Sequence, residues 1–284
     1  METIKSLKGI SFNYIFDAFY EAFGDYEMQL NKMELQTMLQ RRGFVPELSF
    51  ALFKDDKIIA FTLNGIGLFN GLKTAYDTGT GTIKEHRGQG HATNIFIHSI
   101  PFLKDAGVSQ YLLEVLQHNT QAVSIYEKLG FKVTREFNYF KQKHHDVKLC
   151  SKKLNSDYHI KPIDISEAEI LRDFGDFNPS WQNSFDAIFR KPYDFKILGA
   201  YNKQKLLGYC IFEPYSGDIT QIAVDKNYRR KGIGTQLLKE ILKLNRHDSV
   251  KIINTDARCE SITEFIKANS IPLAGKQFEM IKPL

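Results

Sequence analysis

The sequence predicts two consecutive domains of the α/β (α+β) class, each with a mixed, mostly antiparallel central sheet flanked by helices. The chain has 284 residues, which exceeds the common size of a single domain. Two stretches, Ala75 to Ala106 and Gly217 to Leu244, repeat one order of elements. Each has an alternating or apolar strand, a basic turn with glycine, and a helix with apolar residues three and four apart. A repeat of about 140 residues is too long for a solenoid unit and indicates duplicated whole domains.

The predicted boundary lies in the polar segment between the two repeats. Lys148 to Asp157 contains Ser-Lys-Lys and Asn-Ser-Asp, and the strand-like segment His159 to Ile163 follows it. We therefore place one domain at residues 1–152 and the other at residues 153–284.

The elements of the first half follow from caps and periodicity. Ser11 and Asn31 are good N-caps for two amphipathic helices, the first running to about Phe23. Three antiparallel strands come next, with an Asp55-Asp56 turn between the first two. We predict these strands at Leu48 to Phe53, Lys57 to Asn64 and Leu72 to Ile83. A helix (Gly88 to Lys104), a strand (Tyr111 to Leu116), a helix (Asn119 to Leu129) and a closing strand (Phe131 to Lys141) follow.

The second half repeats this order from a shorter start. The predicted elements are the strands Phe195 to Tyr201, Leu206 to Glu213 and Asp218 to Val224, the helix Gly232 to Leu244, the strand Val250 to Asn254 and the helix Ser261 to Ala268.

Composition excludes several classes of protein. Hydrophobic residues make up 43% and charged residues 25%, which is typical of folded globular proteins. Cys150, Cys210 and Cys259 are far apart and lack nearby histidines at zinc-ligand spacing, so no disulfide framework and no metal site is expected. Met1 to Ile10 lacks the apolar core of a signal peptide, and no apolar stretch is long enough to span a bilayer. A cytoplasmic protein without a membrane partner is expected.

Charge decides little about the ligand. The formal net charge of +5 suits a polyanionic small molecule as well as nucleic acid. A nucleic-acid surface needs a dense basic face with interleaved aromatic residues. Lys141 to Lys153 is basic but short, and we interpret it as a solvated linker, so no nucleic-acid partner is predicted.

A glycine-containing turn, His86 to Ala92, joins a strand to a helix in the first half. Such a turn presents backbone N–H groups at the positive end of the helix, where a pyrophosphate can bind. A dinucleotide fingerprint would need Gly or Ala at Thr93, and a Walker A loop would need Gly-Lys-Ser/Thr. Both nucleotide motifs are therefore excluded. Alone, the turn is equally compatible with a connection that binds nothing.

A second motif follows in order, and together the two carry a family resemblance. Asn119 begins a helix shortly after a strand, and Ala122, Tyr126, Gly130 and Phe131 follow it. Arg87-x-x-Gly90-x-Ala92 resembles the acetyl-coenzyme A signature of the GNAT superfamily, and Asn119 to Phe131 resembles a later segment of that family. Arg229 to Gly234 repeats the signature in the second half. The resemblance thus covers nearly the whole chain and implies a tandem GNAT N-acetyltransferase.

The resemblance implies an activity and a binding site. The activity is transfer of an acetyl group from acetyl-coenzyme A to a primary amine by direct attack on the thioester, without a metal. The implied coenzyme-binding residues are Thr82, Ile83, Arg87, Gly88, Gln89, Gly90, His91, Ala92, Asn119 and Tyr126. The resemblance implies that Thr82 and Ile83 offer backbone groups to the coenzyme, and an N–H near Ile83 could stabilise the oxyanion.

Tyr126 and Asn119 are the implied catalytic residues. Tyr126 would donate a proton or a hydrogen bond to the leaving thiolate, although it could instead pack on the sheet as an aromatic residue of an amphipathic helix. Asn119 could equally be a helix N-cap, and one residue can fill both roles.

The general base is left open between two strand carboxylates. Asp77 and Glu114 lie on the two central strands, and each has an even chance of facing away from the cleft. His91 could act near phosphate or as a base, but at the first turn of a helix we expect a solvated surface histidine.

The second half is predicted to be degenerate. An ungapped match puts Arg258 at the place of Asn119 and Phe265 at that of Tyr126, and no tyrosine follows Tyr228. A weak coenzyme site at Arg229 to Gly234 stays possible. The acceptor, a small-molecule or peptide amine, and the oligomeric state cannot be deduced from the sequence. The alternative function is a non-catalytic protein that binds or senses acyl-coenzyme A.

Overall fold

A computed structural model describes residues 1–25, 29–150 and 158–284. The chain divides into two compact units. The first unit contains residues 1–115, 119–134 and 279–284, and the second contains residues 116–118 and 135–278. The boundary predicted at residues 152–153 lies outside the described residues.

Both units contain strands and helices, and each unit has a run of three consecutive strands before a long helix. The strands are β1 (Glu2–Ser6), β2 (Phe50–Lys54), β3 (Lys57–Phe69), β4 (Leu72–Thr82), β5 (Gln110–Leu116), β6 (Lys132–Lys143), β7 (His159–Pro162), β8 (Lys196–Asn202), β9 (Lys205–Glu213), β10 (Asp218–Val224), β11 (Ser249–Asp256) and β12 (Leu273–Pro283). The α-helices are α1 (Phe12–Ala22), α2 (Lys32–Arg42), α3 (His91–Asp105), α4 (Thr120–Lys128), α5 (Phe185–Arg190), α6 (Ile233–Leu244) and α7 (Glu260–Ala268). The mixed, mostly antiparallel sheets with flanking helices confirm the predicted fold class.

Local sequence signals set the helices of the first unit. The Ser11 side chain accepts a hydrogen bond from the Tyr14 N–H at the start of α1. Asn31 and Glu34 form a capping box at the start of α2, which satisfies N–H groups that the helix leaves unpaired. Both predicted caps are therefore confirmed.

The sheet of the first unit runs in the order β1-β2-β3-β4-β5, followed by the end of β12 and the start of β6. Neighbours from β1 to β4 are antiparallel, whereas β4 and β5 are parallel and pair from Thr74 with Gln110 to Tyr76 with Leu112. A β-bulge at Thr78 interrupts β4 just beyond this pairing. Such a bulge increases local twist and redirects side chains, and this one lies just past the last paired residues of β4 and β5.

The second unit repeats the arrangement. Its order is β6-β11-β10-β9-β8-β7, and the parallel neighbours β10 and β11 pair at Asp218 with Lys251. A bulge at Thr220 interrupts β10. Relative to the following arginines, Arg87 and Arg229, the bulges at Thr78 and Thr220 lie at the same distance along the chain. The duplication predicted from the sequence therefore extends to this irregularity.

Several elements differ from the sequence-based expectation. Strand β3 continues to Phe69, beyond its predicted end at Asn64, and it forms with β4 a β-hairpin that turns at Asn70 and Gly71. Strands β1 and β12 were not predicted from the sequence. No helix in the described part of the chain is long and apolar enough to cross a membrane.

Candidate active site of the first unit

The turn between β4 and α3 has the backbone shape of an anion cradle. Gly88 and Gly90 both adopt a left-handed conformation, with φ of +77°, which strongly favours glycine. Gly90 is the N-cap of α3, and among the described residues no side chain caps this helix. A Cβ at either glycine would have no atom within 4 Å. The space beside both glycines is thus open, and the uncapped N-terminus of α3 is of the kind that suits a pyrophosphate.

Arg87 holds this turn in place through its side chain. Its guanidinium forms two hydrogen bonds to Asp25, of 2.7 and 2.8 Å, and donates to the carbonyl oxygens of Ala22 and Thr82. The ion pair lowers the pKa of Asp25 to about 2. The guanidinium is therefore engaged by protein groups, and the pyrophosphate contacts expected of this turn are left to backbone amides.

The other side chains of the turn differ in exposure. Gln89 is exposed and Ala92 is half-buried. His91 is buried, which corrects the expectation of a solvated surface histidine, and its Nε2 has no hydrogen-bond partner among the described residues. The ring stands 6.4 Å from that of His86, measured between centroids. His91 is buried because it lies on the same face of α3 as Ile95, one turn later, which is also buried.

The end of β4 offers one backbone edge to a ligand. The Ile83 N–H donates to the Ile59 carbonyl at 2.9 Å, so it is used by the sheet. Because N–H groups alternate between the two edges of an antiparallel strand, the N–H groups of Thr80 and Thr82 face away from β3. Of the N–H groups near the end of β4, those of Thr80 and Thr82 are therefore better candidates than that of Ile83 for the oxyanion donor expected from the sequence.

Asp77 and Tyr126 meet beside the bulge. Tyr126 forms a side-chain hydrogen bond with Asp77, although 49 positions separate them in the sequence. The Asp77 carboxylate also accepts hydrogen bonds from Thr80 Oγ1 at 2.8 Å and the Gly79 N–H at 2.9 Å. Desolvation nevertheless dominates and raises the pKa of Asp77 to about 6. A carboxylate with such a pKa is a suitable general base near neutral pH.

The remaining candidates have structural partners. The Asn119 side chain accepts from the Ala122 N–H at 3.2 Å, so the N-cap alternative is confirmed. Glu114 accepts a hydrogen bond from the Tyr76 hydroxyl at 3.1 Å. Of the two strand carboxylates that the sequence left open, Asp77 is therefore the one bonded to Tyr126.

The second unit repeats the turn but not the polar site. Arg230 and Gly232 adopt φ of +63° and +85°, at the positions of Gly88 and Gly90. Arg229 donates to the Val224 carbonyl at 3.0 Å and to Asp176 at 2.9 Å, as Arg87 does to Thr82 and Asp25. The same side-chain clamp therefore supports both turns.

The polar residues of the first site are replaced by isoleucine. Aligned on the bulges, Asp77 corresponds to Ile219 and Thr80 to Ile222. The N-caps Asn119 and Cys259 and the left-handed residues Gly130 and Ser270 align α4 with α7. Tyr126 then corresponds to Ile266, one residue beyond the Phe265 expected from the ungapped match.

Comparison with known proteins identifies the family. The chain matches the model of the Acetyltransferase (GNAT) family over residues 12–131 and 163–259. It is 32% identical over 97 residues to N-alpha-acetyltransferase 30 of Schizosaccharomyces pombe. This match covers 34% of this chain and 65% of the relative. It is 24% identical over 131 residues to the N-acetyltransferase YobR of Bacillus subtilis, which covers 40% of this chain and 51% of the relative. The chain thus spans about half to two thirds of the relatives' lengths.

A solved structure supports the tandem fold. A tandem GNAT protein from the clavulanic acid biosynthesis pathway superposes with a TM-score of 0.74 and 10% identity, over 100% of this chain and 98% of that one. At this identity the likeness concerns the fold alone.

Proposed function

Because the chain belongs to the GNAT acetyltransferase family, we propose that its first unit transfers an acetyl group from acetyl-coenzyme A to a primary amine. The hydrogen-bonded pair Asp77 and Tyr126, together with the Gly88 and Gly90 turn that follows β4, carries this proposal. The turn supplies backbone amides for a pyrophosphate, and the diverging strands β4 and β5 leave an edge of β4 for the pantetheine arm. The pair stands at the end of that edge, close to where the thioester would lie.

The proposed reaction is a direct transfer. The amine nitrogen forms a bond to the thioester carbon, and the carbon–sulfur bond breaks. Negative charge that develops on the carbonyl oxygen is stabilised by the N–H of Thr80 or Thr82. Asp77 accepts the proton that the attacking nitrogen loses.

Tyr126 completes the proton balance. Its hydroxyl gives a proton or a hydrogen bond to the departing sulfur. A free phenol has a pKa of about 10 against about 8.5 for a thiol, so full transfer is uphill from an isolated tyrosine. Protonated Asp77 can return its proton to Tyr126 through their hydrogen bond, which offsets this cost. The proton of the amine then ends on coenzyme A, and both side chains regain their starting states.

We propose a peptide α-amine as the acceptor, rather than a lysine or a small amine, because one relative is named N-alpha-acetyltransferase 30. The test incubates the full chain with acetyl-coenzyme A and representatives of the three classes, and follows free thiol and the acetylated product by mass spectrometry. We expect equal amounts of thiol and product. If acetyl-coenzyme A binds but no acceptor class gives product, the protein is a binding module and the proposal fails.

A further inference from the structure

The C-terminal end of α2 is fastened to β3 close to the bulge of β4. The Ile66 N–H donates to the carbonyl oxygen of Gly43, the C-cap of α2, at 2.9 Å. A Cβ at Gly65 would collide with the Arg42 carbonyl oxygen, so the two backbones approach as closely as glycine allows. Gly65 pairs with the residue that precedes Asp77 on β4. The last residue of α2, Arg42, is therefore held next to the strand that carries the proposed base.

The Arg42 side chain contacts the bulge itself. Its Nη1 donates to the carbonyl oxygen of Thr78, the bulged residue, at 3.1 Å. Its guanidinium carbon lies 5.9 Å from the centre of the Tyr76 ring, within the range of a cation–π contact. Tyr76 and Thr78 are both buried. The guanidinium thus contacts the residues on both sides of Asp77 in the sequence.

Arg42 also supplies a positive charge that acts on the Asp77 carboxylate. Burial is the largest influence on this carboxyl group and raises its pKa. Hydrogen bonds from neighbouring groups and the charge of Arg42 oppose burial and leave the pKa at about 6. An opposite charge beside a buried carboxyl group favours the ionised form. Without the guanidinium, the pKa of Asp77 would rise further above 6, and fewer molecules would carry the carboxylate at pH 7.

The other titratable groups beside Asp77 cannot supply a positive charge. They are phenols and one carboxyl group, which are neutral or negative at any pH. Burial raises the pKa of Tyr76 and of Tyr111 well above the ordinary value, so both phenols are neutral at pH 7. These groups, on β4, β5 and α4, are Tyr76, Tyr111, Glu114 and Tyr126. Arg42 is therefore the cation of this cluster among the residues that the structure describes.

We propose that Arg42 is a positioning residue for the first unit, which holds the backbone of the bulge beside Asp77 and keeps the Asp77 carboxylate ionised at neutral pH. This inference rests on the function proposed above, because that function makes Asp77 the base. The state of the carboxyl group is nevertheless a property of the protein without substrate. It can therefore be measured without any acetyl transfer.

Direct titration of Asp77 in the full chain is the first test. Carbon-13-labelled aspartate gives carboxyl NMR signals that follow protonation, and Asp77→Asn identifies the signal of Asp77. We expect a midpoint near 6 in wild type and a midpoint about one pH unit higher in Arg42→Gln, which removes the charge. Arg42→Met, a second neutral variant, should show the same rise, and Arg42→Lys should reverse most of it. A midpoint that does not rise in a neutral variant shown to be folded by circular dichroism would overturn the proposal.

The pH profile of transfer is the second test. With a peptide acceptor, the acidic limb of kcat/KM should move upward by the same interval in Arg42→Gln, so that the rate falls about tenfold below pH 6 and recovers above pH 8. Arg41→Gln, at the neighbouring arginine of α2, is the matched control and should leave the limb in place. A loss of the same size at every pH would indicate a merely structural role and would overturn the proposal. Absence of transfer in wild type would instead contradict the function proposed above, and the titration would still decide the effect of Arg42 on Asp77.

Discussion

The two units build the same turn and differ behind it. In each, an arginine clamps the turn to an aspartate and two left-handed residues direct backbone N–H groups outward. Beyond the bulge, the first unit has Asp77 hydrogen-bonded to Tyr126, and the second has Ile219 and Ile266. Binding of phosphate is a property of backbone shape, which survives changes of side chain, whereas proton transfer needs particular side chains. One duplicated scaffold can therefore separate binding from reaction.

The largest expected effect comes from blocking the turn of the first unit. Valine at position 90 must adopt a φ of +77°, which costs on the order of 1–3 kcal/mol for a side chain other than glycine. Its side chain would also occupy the space open to the ligand. We expect Gly90→Val to lose detectable transfer, measured by thiol release.

Gly232→Val is the matched control for this prediction. It imposes the same kind of strain, at a φ of +85°, on the second unit. We expect it to retain most of the transfer rate. The reverse pattern, with transfer lost only in Gly232→Val, would place the chemistry in the other unit.

The next largest effect is that of the proposed base. Asp77→Asn should lower kcat/KM between about 100- and 10,000-fold, the usual contribution of a general base. The pKa of Asp77 is raised to about 6, so the carboxyl is protonated below that pH and cannot accept a proton. Wild-type kcat/KM should therefore fall about tenfold per pH unit below 6. Dividing the wild-type profile by that of Asp77→Asn isolates the contribution of this carboxyl group. An identical profile in the variant would exclude Asp77 as the base.

The same pKa shift predicts an effect on stability. A carboxyl whose pKa is higher in the folded state than the ordinary 3.8 destabilises the fold once it ionises, so the cost is absent below pH 3.8 and complete above about 6. Asp77→Asn should raise the free energy of unfolding by on the order of 1–3 kcal/mol at pH 8, but not near pH 4. Urea denaturation at both pH values measures this. Equal effects at both pH values would mean that lost hydrogen bonds dominate.

Local signals made much of the fold predictable. Ser11, Asn31 and the repeated glycine turns are short-range features, and their predicted elements are found within a few residues of the expected ends. The contribution of β12 to the first unit could not be predicted, because residues 279–284 join that unit from a distant part of the sequence. The burial of His91 was missed for a related reason, since exposure depends on packing that no helix-start signal records.

The candidate site was only partly predictable. The family resemblance selects the turn and Tyr126 as candidates, since both lie within short ordered patterns of the sequence. The choice of Asp77 over Glu114 needed the tertiary contact between Asp77 and Tyr126, which joins two positions far apart in the sequence and which strand periodicity alone does not reveal. The one-residue error that matched Tyr126 to Phe265 has a similar origin, because only the cap geometry fixes where α7 begins.

A smaller loss is expected for the proposed acid. Tyr126→Phe removes the hydroxyl and keeps the ring contact with Phe131, whose centroid lies 5.7 Å away. We expect kcat to fall about 100-fold, the lower end for an acid–base residue, because a thiolate leaves more readily than an alkoxide. Stopped-flow thiol release with a competent acceptor isolates the chemical step. Tyr215→Phe, at an exposed tyrosine of the second unit, is the control, and an equal loss there would indicate a nonspecific effect.

The smallest effect on transfer should come from weakening the ion pair between Asp25 and Arg87, because neither residue takes part in the proposed proton transfers. Asp25→Asn removes the charge that pairs with Arg87 at 2.7 Å but leaves the hydrogen bonds from Arg87 to the Ala22 and Thr82 carbonyls. The turn should then sample more conformations, so the KM for acetyl-coenzyme A should rise a few-fold while kcat is unchanged. Asp176→Asn loosens the corresponding clamp of Arg229 and should leave both constants of transfer unchanged. Because the two aspartates hold equivalent arginines, a rise in KM in both variants would mean that the two turns do not act independently. A fall in kcat for Asp25→Asn would mean that the clamp also positions Asp77 or Tyr126.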